Sequence, residues 1–210
     1  DFVYSRAFQM MAAVDSTRVI GIMANATNVI AEGEVLQLMN ARDADTSEQR
    51  YLEVIDRKTA QLFQAGAEVA AVLSGATPAM QRALADYGRH LGIAYQLVDD
   101  ALDYQSDPAT RGKNLGDDLA EGKPTLPLIH AMRRGTAEEA RIIRTAIEQG
   151  GLEHIDIVTR TIESTGALDY TARLAAEQSE RAIASLPMLS ESPSKDALLG
   201  LARFAVNRCY

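Results

Sequence analysis

The stretch Tyr95-Gln-Leu-Val-Asp-Asp-Ala-Leu-Asp-Tyr104, with the loop Arg111-Gly-Lys-Asn-Leu-Gly-Asp-Asp-Leu-Ala-Glu-Gly-Lys-Pro-Thr125 after it, decides how this chain is read. Its first half has a helical pattern. At about 100° per residue, Leu84, Tyr87, Leu91, Tyr95, Val98 and Leu102 share a stripe about 80° wide. Gln96, Asp99, Asp100 and Asp103 fall on an adjoining arc about 100° wide. Asp99 and Asp103 stand about 6 Å apart along the axis. Like charges at that spacing cost a bare helix about 0.2–0.5 kcal/mol. Negative charge late in a helix also opposes its dipole.

A hard divalent cation would offset both costs. Magnesium takes one or two carboxylates, keeps several waters and completes its octahedron with phosphate oxygens. Asp99, Asp100 and Asp103 are therefore the expected metal ligands. Lys113 and Lys123, in a loop loosened by Gly112, Gly116 and Gly122, would bring positive charge to the same phosphates. The competing reading is a solvated acidic helix face. Against it stand the apolar stripe directly beside the acids and the lysine-bearing loop directly downstream.

The order Tyr/Phe-Gln-x-x-Asp-Asp-x-x-Asp, then Gly112-Lys-Asn-Leu-Gly-Asp-Asp118, then Glu121-Gly-Lys-Pro-Thr-Leu-Pro127, resembles the second aspartate-rich region of the trans-prenyl diphosphate synthases. The likeness is greatest to the long-chain members of that family. The resemblance covers essentially the whole chain, but only the C-terminal two-thirds of such an enzyme. The chain starts at Asp1 without a methionine. By this resemblance the first aspartate cluster, its arginines and the residues that recognise isopentenyl diphosphate belong upstream, and the chain alone is expected to be inactive. The resemblance implies that Lys58-Thr59 and Gln96 face the diphosphate of an allylic substrate. It also implies that Gln37, in Gly33-Glu-Val-Leu-Gln37, replaces an aspartate of the shorter-chain enzymes. Without it, Lys58 would read as a surface lysine. Asp117 and Asp118 would orient Lys113 or stay solvated. His90, His130 and His154 have no mutual spacing for metal or triad chemistry.

Twenty-nine acidic residues against 21 basic ones give a net charge of −8, which argues against a nucleic-acid surface. An acidic chain handling anionic diphosphates must bring cations in locally, which fits the aspartates. The single cysteine, Cys209, cannot form an internal disulfide, and the reading is cytoplasmic. No apolar run long enough for a membrane span is expected.

No alternating strand pattern stands out, so the expected fold is all-α: one domain over residues 1–210, a large antiparallel bundle with a central cavity. Helices are expected at 2–14, 17–39, from a Thr46-x-x-Gln49 cap to Ser74, from Pro78 to Tyr104, from Pro124 to Arg134, from Thr136 to Gly150, and at 153–164, 167–186 and 194–208. Phe8, Met10, Met11 and Met23 are expected in the core or along a product tunnel. The implied activity is magnesium-dependent condensation of an allylic diphosphate with isopentenyl diphosphate into a long all-trans chain, of the kind used for quinone side chains, by a homodimer. The alternatives are a non-catalytic subunit of a heteromeric synthase, a terpene cyclase, and a structural bundle whose acids and lysines are surface.

Overall fold

The computed structural model describes residues 2–105 and 115–207, so Lys113 and Cys209 lie outside it. The described residues are helical, with no strand among them.

Helix α5, Pro78–Leu102, is the axis of the bundle. Its 25 residues span about 37 Å. Pro78 occupies its first turn and the Thr77 hydroxyl accepts from the Met80 N–H, the cap that the sequence led us to expect. Its neighbours are α4 (Gln61–Leu73) and α10 (Ala167–Ala184), with α7 (Leu126–Arg134) and α11 (Pro193–Asn207) closing the far side. Tyr51, Ile55, Ile93, Leu97, Val98, Leu126 and Ile129 form the core next to the acidic end of α5. The smaller α6 (Asp117–Ala120), α8 (Ala137–Gln149) and α9 (Ile155–Ser164) bury Leu119, Ile143, Ile147, Val158 and Ile162 with Tyr104. Thr136 and Glu139 form the expected capping box on α8.

Four expectations are corrected. The helix expected to run unbroken to Ser74 is α3 (Glu48–Ile55), a π turn (Asp56–Ala60) and α4. Its cap is Ser47, whose hydroxyl accepts from the Arg50 N–H, rather than Thr46, which is buried. Tyr95, assigned to the apolar stripe, is exposed and lies against Phe63 instead. Helix α1 (Phe2–Ala13) buries no residue: Phe8 and Met10 are exposed, and Met11 and Met23 only half-buried.

Helix α2 (Thr17–Asn40) explains how the π turn is held. Its buried positions are Val19, Ala26, Gly33 and Asn40, seven residues apart, a narrow seam facing α4 and the π turn. At Gly33 a Cβ would lie 2.6 Å from the Lys58 backbone nitrogen. On the other side, a Cβ at Gly92 of α5 would lie 2.6 Å from the Ala60 Cα. Two glycines thus let α2 and α5 close on the turn from opposite sides. Much of the remaining apolar surface of α2 is exposed, including Ile20, Val35, Leu38 and Met39. By length and composition α2 could cross a membrane, which the sequence reading did not anticipate.

Candidate active site

A cavity of about 170 Å³ opens at the C-terminal end of α5, between α2, the π turn and the segment after α6. It brings together Gln37, Lys58, Thr59, Gln96, Asp99, Asp100 and Lys123, residues the sequence had pointed to in four separate stretches. Tyr51, Asn40, Asp118 and Thr125 also line it, and of these only Asp118 had been considered for chemistry. No pattern of spacing marks Tyr51 or Asn40, because their partners are remote in the chain.

Lys58 and Thr59 sit in the π turn. An extra residue in a helical turn leaves the local hydrogen-bond ladder widened, and such turns recur at functional sites. Here it places two consecutive side chains on the cavity wall. The Lys58 ammonium donates to Gln37 Oε1 and is 3.2 Å from Glu34, so the expected Gln37 position is a polar neighbour of Lys58. The Thr59 hydroxyl donates to Gln96 Oε1 at 2.9 Å, and Gln96 Nε2 donates to Asp100 Oδ1 at 2.7 Å.

The three aspartates have different surroundings. Asp99 is partly exposed and lines the cavity. Asp100 is 4% exposed and accepts from the Tyr51 hydroxyl at 2.6 Å as well as from Gln96. Burial pushes the Asp100 carboxyl up to about 7, with the charges of Asp118 and Asp99 adding to the rise and the Tyr51 and Gln96 hydrogen bonds opposing it. Burial, then the Asp100 charge, holds the Tyr51 hydroxyl well above its ordinary range. Asp103 caps the end of α5, is buried, and accepts from the Asp118 N–H at 3.1 Å. It therefore ties the loop back onto the helix.

Lys123 pairs with Asp118 at 3.0 Å and Glu121 at 2.6 Å. Burial works against its charge, but those two carboxylates outweigh burial and hold its pKa above the ordinary lysine value. Asp118 thus orients Lys123; the expected contact with Lys113 lies outside the described residues. The Arg42 N–H donates to the Gly122 carbonyl at 2.8 Å, fixing the segment that carries Lys123 against the end of α2. His90 bonds Gln178, His130 stacks on Tyr170, and His154 precedes α9. All three lie off the cavity wall.

Among the described residues, no three acidic, imidazole or thiol groups gather around one point as a ready-made metal cage. A magnesium ion does not require one, since it uses one or two carboxylates plus water and substrate oxygens. The oxygen-rich wall formed by Asp99, Gln96, Thr59 and Gln37 fits such a hard cation.

A family model described as polyprenyl synthetase matches residues 1–164. The chain belongs to the polyprenyl synthetase family. It is 53% identical over 209 residues to octaprenyl diphosphate synthase of Escherichia coli (strain K12), covering 99% of this chain and 65% of that relative. Polyprenyl synthase of Caulobacter crescentus CB15, solved with calcium and isoprenyl diphosphate, superposes with a TM-score of 0.94 at 45% identity, over 100% of this chain and 65% of that one. Decaprenyl diphosphate synthase of Rhodobacter capsulatus does so with a TM-score of 0.91 at 40% identity, over 100% and 65%. The chain thus spans about 65% of the length of these polyprenyl synthetases.

Proposed function

We propose that this chain carries the diphosphate-ionising part of a long-chain prenyl transferase, which joins an allylic diphosphate to isopentenyl diphosphate. The observation that supports it best is the meeting of Lys58 and Lys123 with Asp99 across one cavity. Cations on one wall and a carboxylate on another suit a ligand that is itself a metal-bound polyanion. Asp99 and Asp100 on the cavity wall, with Asp103 beside it at the end of α5, would hold magnesium, which when bound neutralises charge on the diphosphate.

The lysines bind the diphosphate oxygens and stabilise the charge that grows on them as the allylic C–O bond breaks. Lys58 must exchange Gln37 and Glu34 for the substrate, and Lys123 must share itself between Asp118 and the substrate. Lys113 would join them from the loop. The electron-deficient allylic carbon is taken by the double bond of isopentenyl diphosphate, and a proton then leaves to the released diphosphate. Val54 and Ile55 at the wall help keep water from the cation. The identity to an octaprenyl synthase favours a long all-trans product, the cytoplasm as its place, and quinone side chains as its use. The bare apolar faces of α1 and α2 favour a homodimer.

The test is transfer from radiolabelled isopentenyl diphosphate to an allylic diphosphate in magnesium. It is run with the chain alone and with the chain joined to the N-terminal third of the Escherichia coli relative. The joined protein should give long all-trans polyprenyl diphosphate that is lost in Lys58→Ala. No labelled product from either form would overturn the proposal.

A further inference from the structure

We infer that Tyr51, on α3 and outside every motif in the sequence, is a positioning residue that sets the hydrogen-bonding polarity of Thr59. Four side chains from three elements form one chain of bonds. Tyr51 donates to one oxygen of Asp100 at 2.6 Å, Gln96 donates to the other at 2.7 Å, and Thr59 donates to Gln96 Oε1 at 2.9 Å. A glutamine amide between two polar neighbours can face either way. The carboxyl oxygen at one end decides between them. It takes the NH2 group, so the Gln96 carbonyl turns to Thr59 and claims the only proton of its hydroxyl. Thr59 is left with lone pairs to offer the cavity.

That ordering needs the Asp100 carboxyl held in one plane, and Tyr51 is what holds it. Asp100 is 4% exposed and Tyr51 5% exposed, so water cannot replace either partner cheaply. The Tyr51 ring belongs to the core cluster that holds Leu97 and Val98, less than one turn of α5 before Asp100, so its hydroxyl has little freedom to point elsewhere. Remove the hydroxyl and one buried oxygen of Asp100 loses its donor. The carboxyl then turns to compete for Gln96, and the Gln96 amide is released from its single orientation. Thr59, expected from the resemblance to face the diphosphate, is thereby an acceptor whose direction is decided two side chains away.

The kinetic arm of the test rests on the prenyl-transfer reading; the spectroscopic arm does not. In the 210-residue chain, the two side-chain amide protons of Gln96 should be well separated and slow to exchange in nitrogen–proton correlation spectra. In Tyr51→Phe they should converge and exchange faster, while the other glutamine pairs stay put. Should Tyr51→Phe fail to fold, Asp100→Asn, which keeps the shape but replaces one acceptor by an NH2 group, should move the same Gln96 signals. In whichever form transfers prenyl groups, Tyr51→Phe should lower kcat about 10- to 100-fold, the range for losing a hydrogen bond to a charged group, with KM for both diphosphates little changed. Placed on Thr59→Val, the same change should lower kcat no further. A Gln96 signal pair unmoved by the substitution would overturn the inference even in a chain with no activity. So would an undiminished kcat loss in the Thr59→Val background. Absence of prenyl transfer in the unsubstituted protein, with the Gln96 signals behaving as described, would overturn the functional reading alone.

Discussion

Asp99 and Asp100 are adjacent in sequence but should respond to substitution in different ways. Both line the cavity, but Asp99 is partly exposed whereas Asp100 is 4% exposed and held by Tyr51 and Gln96. Asp99→Ala is therefore expected to lower turnover by several orders of magnitude at saturating magnesium while leaving the melting temperature nearly unchanged; steady-state kinetics beside calorimetry checks both. Asp100 should instead appear in the pH dependence of stability. Its folded-state pKa of about 7 lies above the ordinary aspartate value of 3.8. Below pH 3.8 both states hold the proton. As pH rises toward 7 the unfolded chain gives it up first, so metal-free stability should fall across that window and level off above it. Urea denaturation from pH 5 to 8 should show that slope, and Asp100→Asn should flatten it. Residues close in sequence were legible at this scale: Lys58-Thr59, Gln96 and Asp99 stand in short motifs. Tyr51 was not, because its partner Asp100 is 49 positions away and neither local spacing nor helical phase connects them. The difference in exposure between Asp99 and Asp100 depends on what packs over each, which a helical wheel does not carry.

At the scale of elements, caps and breakers carried the reading. Thr77-Pro78, Thr136-x-x-Glu139 and Gly150 end or begin helices where expected, because each acts on backbone groups within four residues of itself. The π turn escaped notice for the converse reason. Asp56-Arg-Lys-Thr-Ala60 contains no glycine or proline, and what favours the widened turn comes from other helices. Gly33 and Gly92 close on it, and Arg89 grips Asp56 through two bonds of 2.7 and 2.8 Å. Gly92→Ala should therefore push the Ala60 backbone away and cost about 1–3 kcal/mol, as overpacking does. Turnover should fall with it, since Lys58 and Thr59 move with that backbone. Denaturation midpoints and kcat measured on the same protein check the pair of effects, and an exposed control such as Gly21→Ala, with open space at its Cβ, should show neither.

For the molecule as a whole, the fold class was plain from the absence of strand patterning and from the strength of the helix caps. The partition of apolar surface was not. Phe8 and Met10 read as core because nothing in a helical period distinguishes a face that packs inward from one that packs on another molecule. In the structure Phe2, Val3, Tyr4, Phe8 and Met10 are exposed on α1, and Leu38 and Met39 on α2. If this surface is the seam of the proposed homodimer, sedimentation equilibrium should return twice the chain mass of 22.7 kDa. Phe8→Asp should shift the protein toward monomer, and Phe8→Ala should weaken the dimer without lengthening the product. A longer product from an intact dimer would assign Phe8 to the tunnel wall instead.

The π turn takes up one added residue within the rod that α3 and α4 form. Each residue of a helix turns its successor by about 100°, so an insertion of one rotates everything beyond it by that angle. Helix α3 directs Tyr51, Val54 and Ile55 inward, and α4 buries Ala65 and Ala71 in a register that only the widened turn supplies. Loss of one residue between Asp56 and Ala60 would relax the turn to ordinary α-helix and leave the inward side of α4 facing α5, because the widened turn already takes up that residue's rotation. Substitutions along this rod are local events. A one-residue deletion elsewhere in the rod, where no widened turn absorbs it, is a global one, turning every apolar position beyond it as far as Leu73.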